Sequence, residues 1–284
     1  MPYAVARKSA RFMVHTAARI GARGVRTIQR SLPLKQQLGF LDVLYRALTV
    51  LPAGAAKYSA MRFLAVQEYS TPMFTDLSDR TVSKVRKAAE AIYGDGWNSF
   101  SDALRPEVVR CLNASINHLR RHFERIDYLE IGSAQGVSMA FIGTALREAG
   151  IPGTLTSIDP YIEAGYSDSG YHVALGKDTK EKAERLYAAL SLPVSIIERP
   201  SGNALVQLLK ADGKFHLIYV DGLHSGLTPT LDFGLSYHLL HDRGVVMLDD
   251  HVSPDIVALK TLCDRYCDTV CECWKVACYT PRRP

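Results

Sequence analysis

Three carboxylates and a histidine stand directly after two short apolar runs in the second half of the sequence. One run is followed by Asp221, with His224 three residues later, and the other run is followed by Asp249 and Asp250. Like charges held close together need a cation between them, and oxygen ligands suit Mg²⁺, with Mn²⁺ or Ca²⁺ as alternatives. The pattern predicts a divalent metal site, and the alternative is a set of unpaired acids on the surface.

A glycine-containing turn follows an earlier apolar run and reads Glu130-Ile-Gly132-Ser133-Ala-Gln-Gly136. Glycines let the chain turn sharply and let a ligand approach bare backbone, and the next helix offers free N–H groups. The spacing is not the Gly-x-Gly-x-x-Gly of dinucleotide dehydrogenases. The next apolar run ends in Asp159, whose carboxylate could accept hydrogen bonds from both hydroxyls of a ribose or, alternatively, cap a loop.

The elements that must position these residues follow from the hydrophobic pattern. From Tyr128 onwards, short apolar runs alternate with amphipathic stretches of helical length. This alternation is typical of βαβ units and predicts an α/β fold, a Rossmann-like, doubly wound and mostly parallel sheet. Ligands of such sheets bind at the carboxyl ends of the strands, where all the residues above stand. After the last helix we expect one strand, at about Val270–Tyr279.

The glycine turn and Asp159 together resemble the class I S-adenosylmethionine (SAM)-dependent methyltransferases. The resemblance implies that the turn binds the methionine moiety and that Asp159 binds the ribose. It places Gly202 and Asn203, in the loop after the third strand, near the adenine. The SAM-binding residues that it implies are Glu130, Gly132, Ser133, Gly136, Asp159, Gly202, Asn203 and Asp221.

The stretch from Asp221 to His251 is similar to a metal-dependent subgroup of that class, related to methyltransferase family 24. Its fourth strand reads Asp-Gly-x-His with an Asp eight residues later, here Asp232. The subgroup includes macrolide sugar O-methyltransferases and cephalosporin-hydroxylase-like proteins. The resemblance implies that Asp221, Asp249 and Asp250 bind the metal and that His224 is the general base. Gly226 departs from the pattern, which usually has an aromatic residue there.

The function that this resemblance implies is O-methyl transfer from SAM to a hydroxyl of a small molecule or sugar, assisted by Mg²⁺ or another divalent cation. Methyl transfer from a sulfonium is an in-line displacement, so alignment of the acceptor oxygen contributes much of the rate. Two alternatives remain: a cephalosporin-hydroxylase-like enzyme of the same subgroup, and a methyltransferase-like scaffold without catalysis.

Charge and composition divide the chain into three regions. Residues 1–41 carry eight Lys/Arg and no carboxylate, so the net charge of +5 combines a basic arm with a body near −3. This balance argues against a nucleic-acid-binding protein. We expect a basic amphipathic arm at 1–33, a helical cap or oligomerisation region at 34–124, and the methyltransferase domain at 125–284. Helical spacing within the cap predicts helices at Thr81–Tyr93 and Pro106–Phe123.

The basic arm has three interpretations. Its basic residues recur every three or four positions, so residues 1–31 could form a helix that contacts an anionic membrane surface. The alternatives are a solvated tail and a transit peptide. No run of 18 apolar residues occurs, which favours a cytoplasmic enzyme, associated at most with a membrane surface and with a homo-oligomer as one option. The five C-terminal cysteines are expected to fill core positions as reduced thiols, with metal binding or disulfides as alternatives.

Overall fold

The structure is a computed structural model that describes residues 76–94, 104, 106–161, 166–168, 171–173, 178–251, 254–273 and 275–282. The predicted arm at 1–33 and much of the predicted cap at 34–124 lie outside the described residues. Among the described helices, none combines the length and the apolar character needed to cross a bilayer.

Helices and strands alternate along most of the described chain. The helices are α1 (Asp76–Tyr93), α2 (Pro106–Leu119), α3 (Val137–Glu148), α4 (Thr179–Ala189), α5 (Ser201–Lys210), α6 (Thr228–Leu239) and α7 (Pro254–Tyr266). The strands are β1 (Tyr128–Ile131), β2 (Leu155–Ile158), β3 (Tyr166–Asp168), β4 (Tyr171–Val173), β5 (Val194–Ile197), β6 (Phe215–Val220), β7 (Leu240–Leu248), β8 (Cys267–Glu272) and β9 (Ala277–Pro281). The predicted helices at 81–93 and 106–123 correspond to α1 and α2.

Seven of the strands form one sheet in the order β5-β2-β1-β6-β7-β9-β8, and β3 and β4 form a separate antiparallel hairpin. The strands β5, β2, β1, β6 and β7 run parallel. β9 is antiparallel to β7, and β8 is antiparallel to β9. This topology confirms the predicted α/β fold with a doubly wound, mostly parallel sheet.

The end of the chain contradicts the prediction of a single strand at Val270–Tyr279. Two strands, β8 and β9, stand there, joined by a turn in which the Cys273 N–H donates a hydrogen bond to the Val276 carbonyl at 2.9 Å. Because Leu248 of β7 pairs with Ala277 of β9, this turn lies at the carboxyl ends of the parallel strands. The sheet therefore ends in an antiparallel pair of strands and not in a single strand.

Helices cover both faces of the sheet, and β1 and β6 are buried along their whole length. Successive side chains alternate between the faces, so Tyr128 and Leu217 pack in the core formed with α1 to α4. Leu129 and Ile218 face the opposite core, which is formed with α5 to α7. α1 and α2 thus share a hydrophobic core with the sheet.

The cysteines contribute to these cores as free thiols. Of the five C-terminal cysteines, four are buried and Cys271 is partly exposed. Cys263 and Cys267 lie in the core with α5 to α7, while Cys273 and Cys278 lie in the core with α1 to α4.

Candidate active site

The turn between β1 and α3 requires glycine at both of its glycine positions. Gly132 has φ +84°, and a Cβ added to it would lie 2.1 Å from the backbone oxygen of Asp221. Gly136 has φ +72° and precedes the first residue of α3, and a Cβ there would lie 2.3 Å from the Tyr187 hydroxyl. Left-handed backbone and the lack of space both exclude other residues, so the turn presents bare backbone at the helix N-terminus.

Asp159 follows β2 and holds this turn in place. Its Oδ2 accepts a hydrogen bond from the Ala134 N–H at 2.8 Å, and its Oδ1 accepts one from the Tyr161 N–H at 2.8 Å. Burial raises the pKa of Asp159, and the two backbone hydrogen bonds oppose that rise. Asp159, which was predicted to bind the ribose, therefore lies beside the glycine turn, and its two backbone hydrogen bonds also fit the alternative of a residue that caps a loop.

Glu130 and Ser133 lie beneath the turn rather than on its surface. The Glu130 carboxylate is fully buried and accepts hydrogen bonds from the hydroxyls of Tyr128 and Ser138, both at 2.5 Å. Burial raises the pKa of Glu130 to about 7, against the lowering effect of these hydrogen bonds. The Ser133 hydroxyl accepts a hydrogen bond from Ser157 at 2.8 Å. The side chains of Glu130 and Ser133 thus support the turn from below.

Gly202 and Asn203 were expected in a loop after the third strand, but they lie in the first turn of α5. Pro200 is the N-cap residue, and the helix begins at Ser201. Most apolar residues of the segment 201–210 share one helical face, with Val206 exposed outside it, and this spacing favours a helix along the whole segment. The pair still lies beyond the carboxyl end of β5, the strand next to β2.

The predicted metal ligands follow β6 and β7, which are neighbouring strands with Val220 opposite Leu248. Asp221, His224 and Asp249 each have a ligand atom within 4.8 Å of the other two. Asp249 is buried, and its Oδ1 accepts a hydrogen bond from the Tyr219 hydroxyl at 2.7 Å. Asp250 does not belong to this group of three, but its Oδ2 lies 3.4 Å from His224 Nδ1. The structure therefore brings all three acids to one place.

His224 lies between two of the acids. Its Nε2 is 3.5 Å from Asp221 Oδ1, and its Nδ1 is 3.4 Å from Asp250 Oδ2. Burial lowers the pKa of His224, but the contacts with Asp221 and Asp250 outweigh it and raise the pKa to about 11. Asp232, buried on α6, packs under the same segment, where its Oδ2 would lie 3.3 Å from a Cβ added to Gly222.

Lys275 is a member of the site that the sequence did not indicate. Its Nζ is 3.1 Å from Asp249 Oδ2 and 3.7 Å from Asp250 Oδ1, and its side chain is largely buried. It lies in the turn between β8 and β9, which the prediction of a single strand did not include. A basic residue in a turn at the carboxyl end of the sheet would have been the signal.

Three buried polar side-chain atoms lie around the glycine turn: Gln135 Oε1 and the hydroxyl oxygens of Tyr161 and Tyr187. The two tyrosine hydroxyls interact with Ser157, whereas Gln135 Oε1 has no hydrogen bond to a described residue. Buried polar groups are normally hydrogen-bonded, so Gln135 Oε1 is a candidate for contact with a polar ligand at the turn. Tyr187, on α4, was not identified from the sequence because it is far from the turn along the chain.

Comparison with known proteins agrees with these observations. Residues 129–251 match the family model described as a methyltransferase domain. The fold, the glycine turn and this match define a class I methyltransferase domain. Residues 129–251 are therefore a methyltransferase domain, which agrees with the resemblance to SAM-dependent methyltransferases drawn from the sequence.

Two solved structures show how far the fold is shared. The O-methyltransferase NovP is 14% identical, with a TM-score of 0.53, and the match covers 73% of this chain and 100% of that one. An O-methyltransferase from Bacillus cereus in complex with SAH is 13% identical, with a TM-score of 0.50, covering 76% of this chain and 97% of that one. No curated protein matches the sequence. At these identities, the two structures establish the fold alone.

Proposed function

We propose that this enzyme transfers the methyl group of SAM to a hydroxyl oxygen of a small molecule or sugar, with a divalent cation at the acidic centre. One observation carries the proposal: the glycine turn and the acidic centre touch. The Gly132 Cα faces the Asp221 carbonyl so closely that no side chain fits between them. A methyl donor in the turn would therefore lie beside an acceptor at Asp221, His224 and Asp249, and such alignment favours in-line transfer.

The residues of this chain can bind SAM along one edge of the sheet. In the proposal, Gly132 and Gly136 leave backbone accessible to the methionine moiety, and Asp159 accepts hydrogen bonds from the ribose. Gly202 and Asn203, beyond the neighbouring strand β5, would contact the adenine. Gln135 Oε1 and the buried hydroxyls of Tyr161 and Tyr187 are further candidates for contacts with the polar groups of the donor.

The acidic centre fits a divalent cation by the chemistry of its donor atoms. Asp221, Asp249 and Asp250 offer carboxylate oxygens, which hard cations such as Mg²⁺ prefer, and His224 offers a nitrogen. When bound, such a cation would lower the pKa of an acceptor hydroxyl and hold a second oxygen beside it.

His224 is the proposed proton acceptor because it is the imidazole within this group of acids. The contacts with Asp221 and Asp250 raise the pKa of the ring and so favour its protonated form while both carboxylates face it. A cation held by those carboxylates would lower the pKa of the ring and would let His224 accept the proton of the acceptor hydroxyl. We therefore expect proton transfer and cation binding to be linked in this enzyme.

The test uses the full chain with SAM carrying a trideuterated methyl group, Mg²⁺, and probes that contain vicinal hydroxyls, such as a catechol and a deoxyhexose. Mass spectrometry should find the label on oxygen. We expect His224→Gln to lower turnover by about 100-fold or more while leaving SAM affinity nearly unchanged, since the ring acts on the acceptor.

Three results would contradict the proposal. Label on nitrogen or carbon would exclude O-methylation. Full turnover in EDTA would remove the divalent cation from the reaction. Wild-type turnover by His224→Gln, with correct folding checked by circular dichroism, would exclude His224 as the base.

A further inference from the structure

Lys275 reaches the acidic centre from a part of the fold outside the βαβ units. The turn that carries it connects β8 and β9, and the pairing of β9 with β7 brings that turn next to Asp249 and Asp250. The side chain is 15% exposed and the Asp249 side chain is 1% exposed. A buried carboxylate needs a partner charge, and the Lys275 ammonium provides one at 3.1 Å.

The backbone holds this lysine in position. The His251 N–H donates a hydrogen bond to the Lys275 carbonyl at 3.3 Å, and His251 Nε2 lies 2.7 Å from the Cys273 carbonyl oxygen. His251 directly follows the acidic pair and is fully buried. These two contacts fix the turn to the segment that carries Asp249 and Asp250. The Lys275 ammonium is thereby held close to both carboxylates.

The carboxylate that Lys275 contacts is also one of those that would bind a cation. Asp249 contributes both to the group of Asp221, His224 and Asp249 and to the ion pair with Lys275. A divalent cation and an ammonium at one buried carboxylate repel each other strongly, because the surroundings screen charge poorly. Asp249 therefore cannot bind the divalent cation and the Lys275 ammonium at the same time without a loss of affinity for one of them.

We propose that Lys275 is a built-in counter-ion that competes with the divalent cation for Asp249 and Asp250 and so sets the affinity of the site for metal. A bound cation would displace the ammonium from Asp249, and the flexible lysine stem allows the head group to move while the turn stays fixed. The inference rests on the proposed function in taking Asp221 and Asp249 as the cation site.

The experiment is a calorimetric titration of Mn²⁺ into the full chain without substrate. Lys275→Met removes the charge and keeps the length of the side chain, whereas Lys275→Arg keeps the charge. Lys210→Met, at the exposed end of α5, is the matched control for the loss of one positive charge. We expect Lys275→Met to bind Mn²⁺ at least about tenfold more tightly than wild type, with the other two variants close to wild type.

Lys275→Met leaves Asp249 without its ammonium partner and could lower the stability of the fold. The change in Tm on adding Mn²⁺ is therefore measured as a second readout. Mn²⁺ should raise the Tm of Lys275→Met by more than it raises the Tm of wild type. Equal or weaker Mn²⁺ binding by Lys275→Met, or the same gain in Lys210→Met, would overturn the inference. If Lys275→Met gains no affinity while wild type binds Mn²⁺ and Asp249→Asn does not, the cation site stands although the competition fails. If no variant binds Mn²⁺, the inference and the proposed cation both fall, and methyl transfer is judged by the labelled SAM assay.

Discussion

The two ends of the sheet both carry histidines near carboxylates, but the pKa values of these histidines are shifted in opposite directions. At the carboxyl end, His224 lies between the carboxylates of Asp221 and Asp250. At the amino end, the His216 ring stacks on His241 with the ring centroids 4.2 Å apart. His216 Nδ1 accepts a hydrogen bond from the Asp127 N–H at 2.9 Å, so this nitrogen carries no proton.

The difference shows that the surroundings, and not the residue type, decide what a histidine can do. Burial lowers the pKa of His216, and the neighbouring His241 lowers it further. Carboxylates raise the pKa of His224 to about 11. The surroundings of His216 thus favour the neutral ring, whereas those of His224 favour the charged ring.

The largest expected effect tests the contact that joins the glycine turn to the acidic centre. Gly132→Ala adds a methyl group against the Asp221 backbone and strains a backbone with φ +84°. We expect a loss of about 3–6 kcal/mol in the free energy of unfolding, measured with urea.

Gly150→Ala is the matched control for this change. Gly150 also has a positive φ, +67°, but nothing lies within 4 Å of a Cβ added there. Strain alone should cost about 1 kcal/mol. Equal losses at the two glycines would show that β1 and β6 do not approach each other as described.

The pH dependence of the stability tests the assignment of the two histidines, and its expected effect is smaller. The folded pKa of His224 is raised from 6.5 to about 11, so its contribution to stability is complete below pH 6.5 and is lost as the pH rises through about 11. Wild type should therefore lose stability relative to His224→Gln between pH 7 and pH 11. The slope should not exceed about 1.4 kcal/mol per pH unit, the limit for one proton.

His216 should give the opposite dependence. Its folded pKa is lowered, so the unfolded chain binds a proton more readily and wild type loses stability relative to His216→Gln as the pH falls below 6.5. Thermal unfolding of wild type and of both variants, measured below pH 6.5 and from pH 7 to pH 11, gives the dependence of stability on pH for each histidine. Slopes of the same sign would remove the contrast between the ends of the sheet.

The part of the site carried by the βαβ units was predictable from the sequence. Each of Asp159, Asp221 and Asp249 directly follows a strand, and parallel strands bring their carboxyl ends to one edge. This rule does not apply to Lys275, which lies in a turn between two antiparallel strands. The turn at 273–276 has no glycine, proline or asparagine and is closed instead by Cys273, whose Sγ accepts a hydrogen bond from the Val276 N–H at 3.2 Å. A turn of this kind reads as continuous strand.

Side-chain direction was the other thing that the sequence did not provide. Glu130 follows the pattern of the class, but its carboxylate lies under the turn with Tyr128 and Ser138. Which face of β1 carries it depends on the register with β2 and β6. The Tyr187 hydroxyl likewise lies beside Gly136 only because α4 packs beside α3.

The most direct test of the account is a calorimetric titration of SAM into wild type, Asp159→Asn and His216→Gln, with the Tm of each measured in parallel. We predict one SAM bound per wild-type chain, about tenfold or weaker binding by Asp159→Asn, and binding by His216→Gln within about twofold of wild type. Wild-type affinity in Asp159→Asn, or a larger loss in His216→Gln, would contradict the claim that the carboxyl end of the sheet holds the methyl donor.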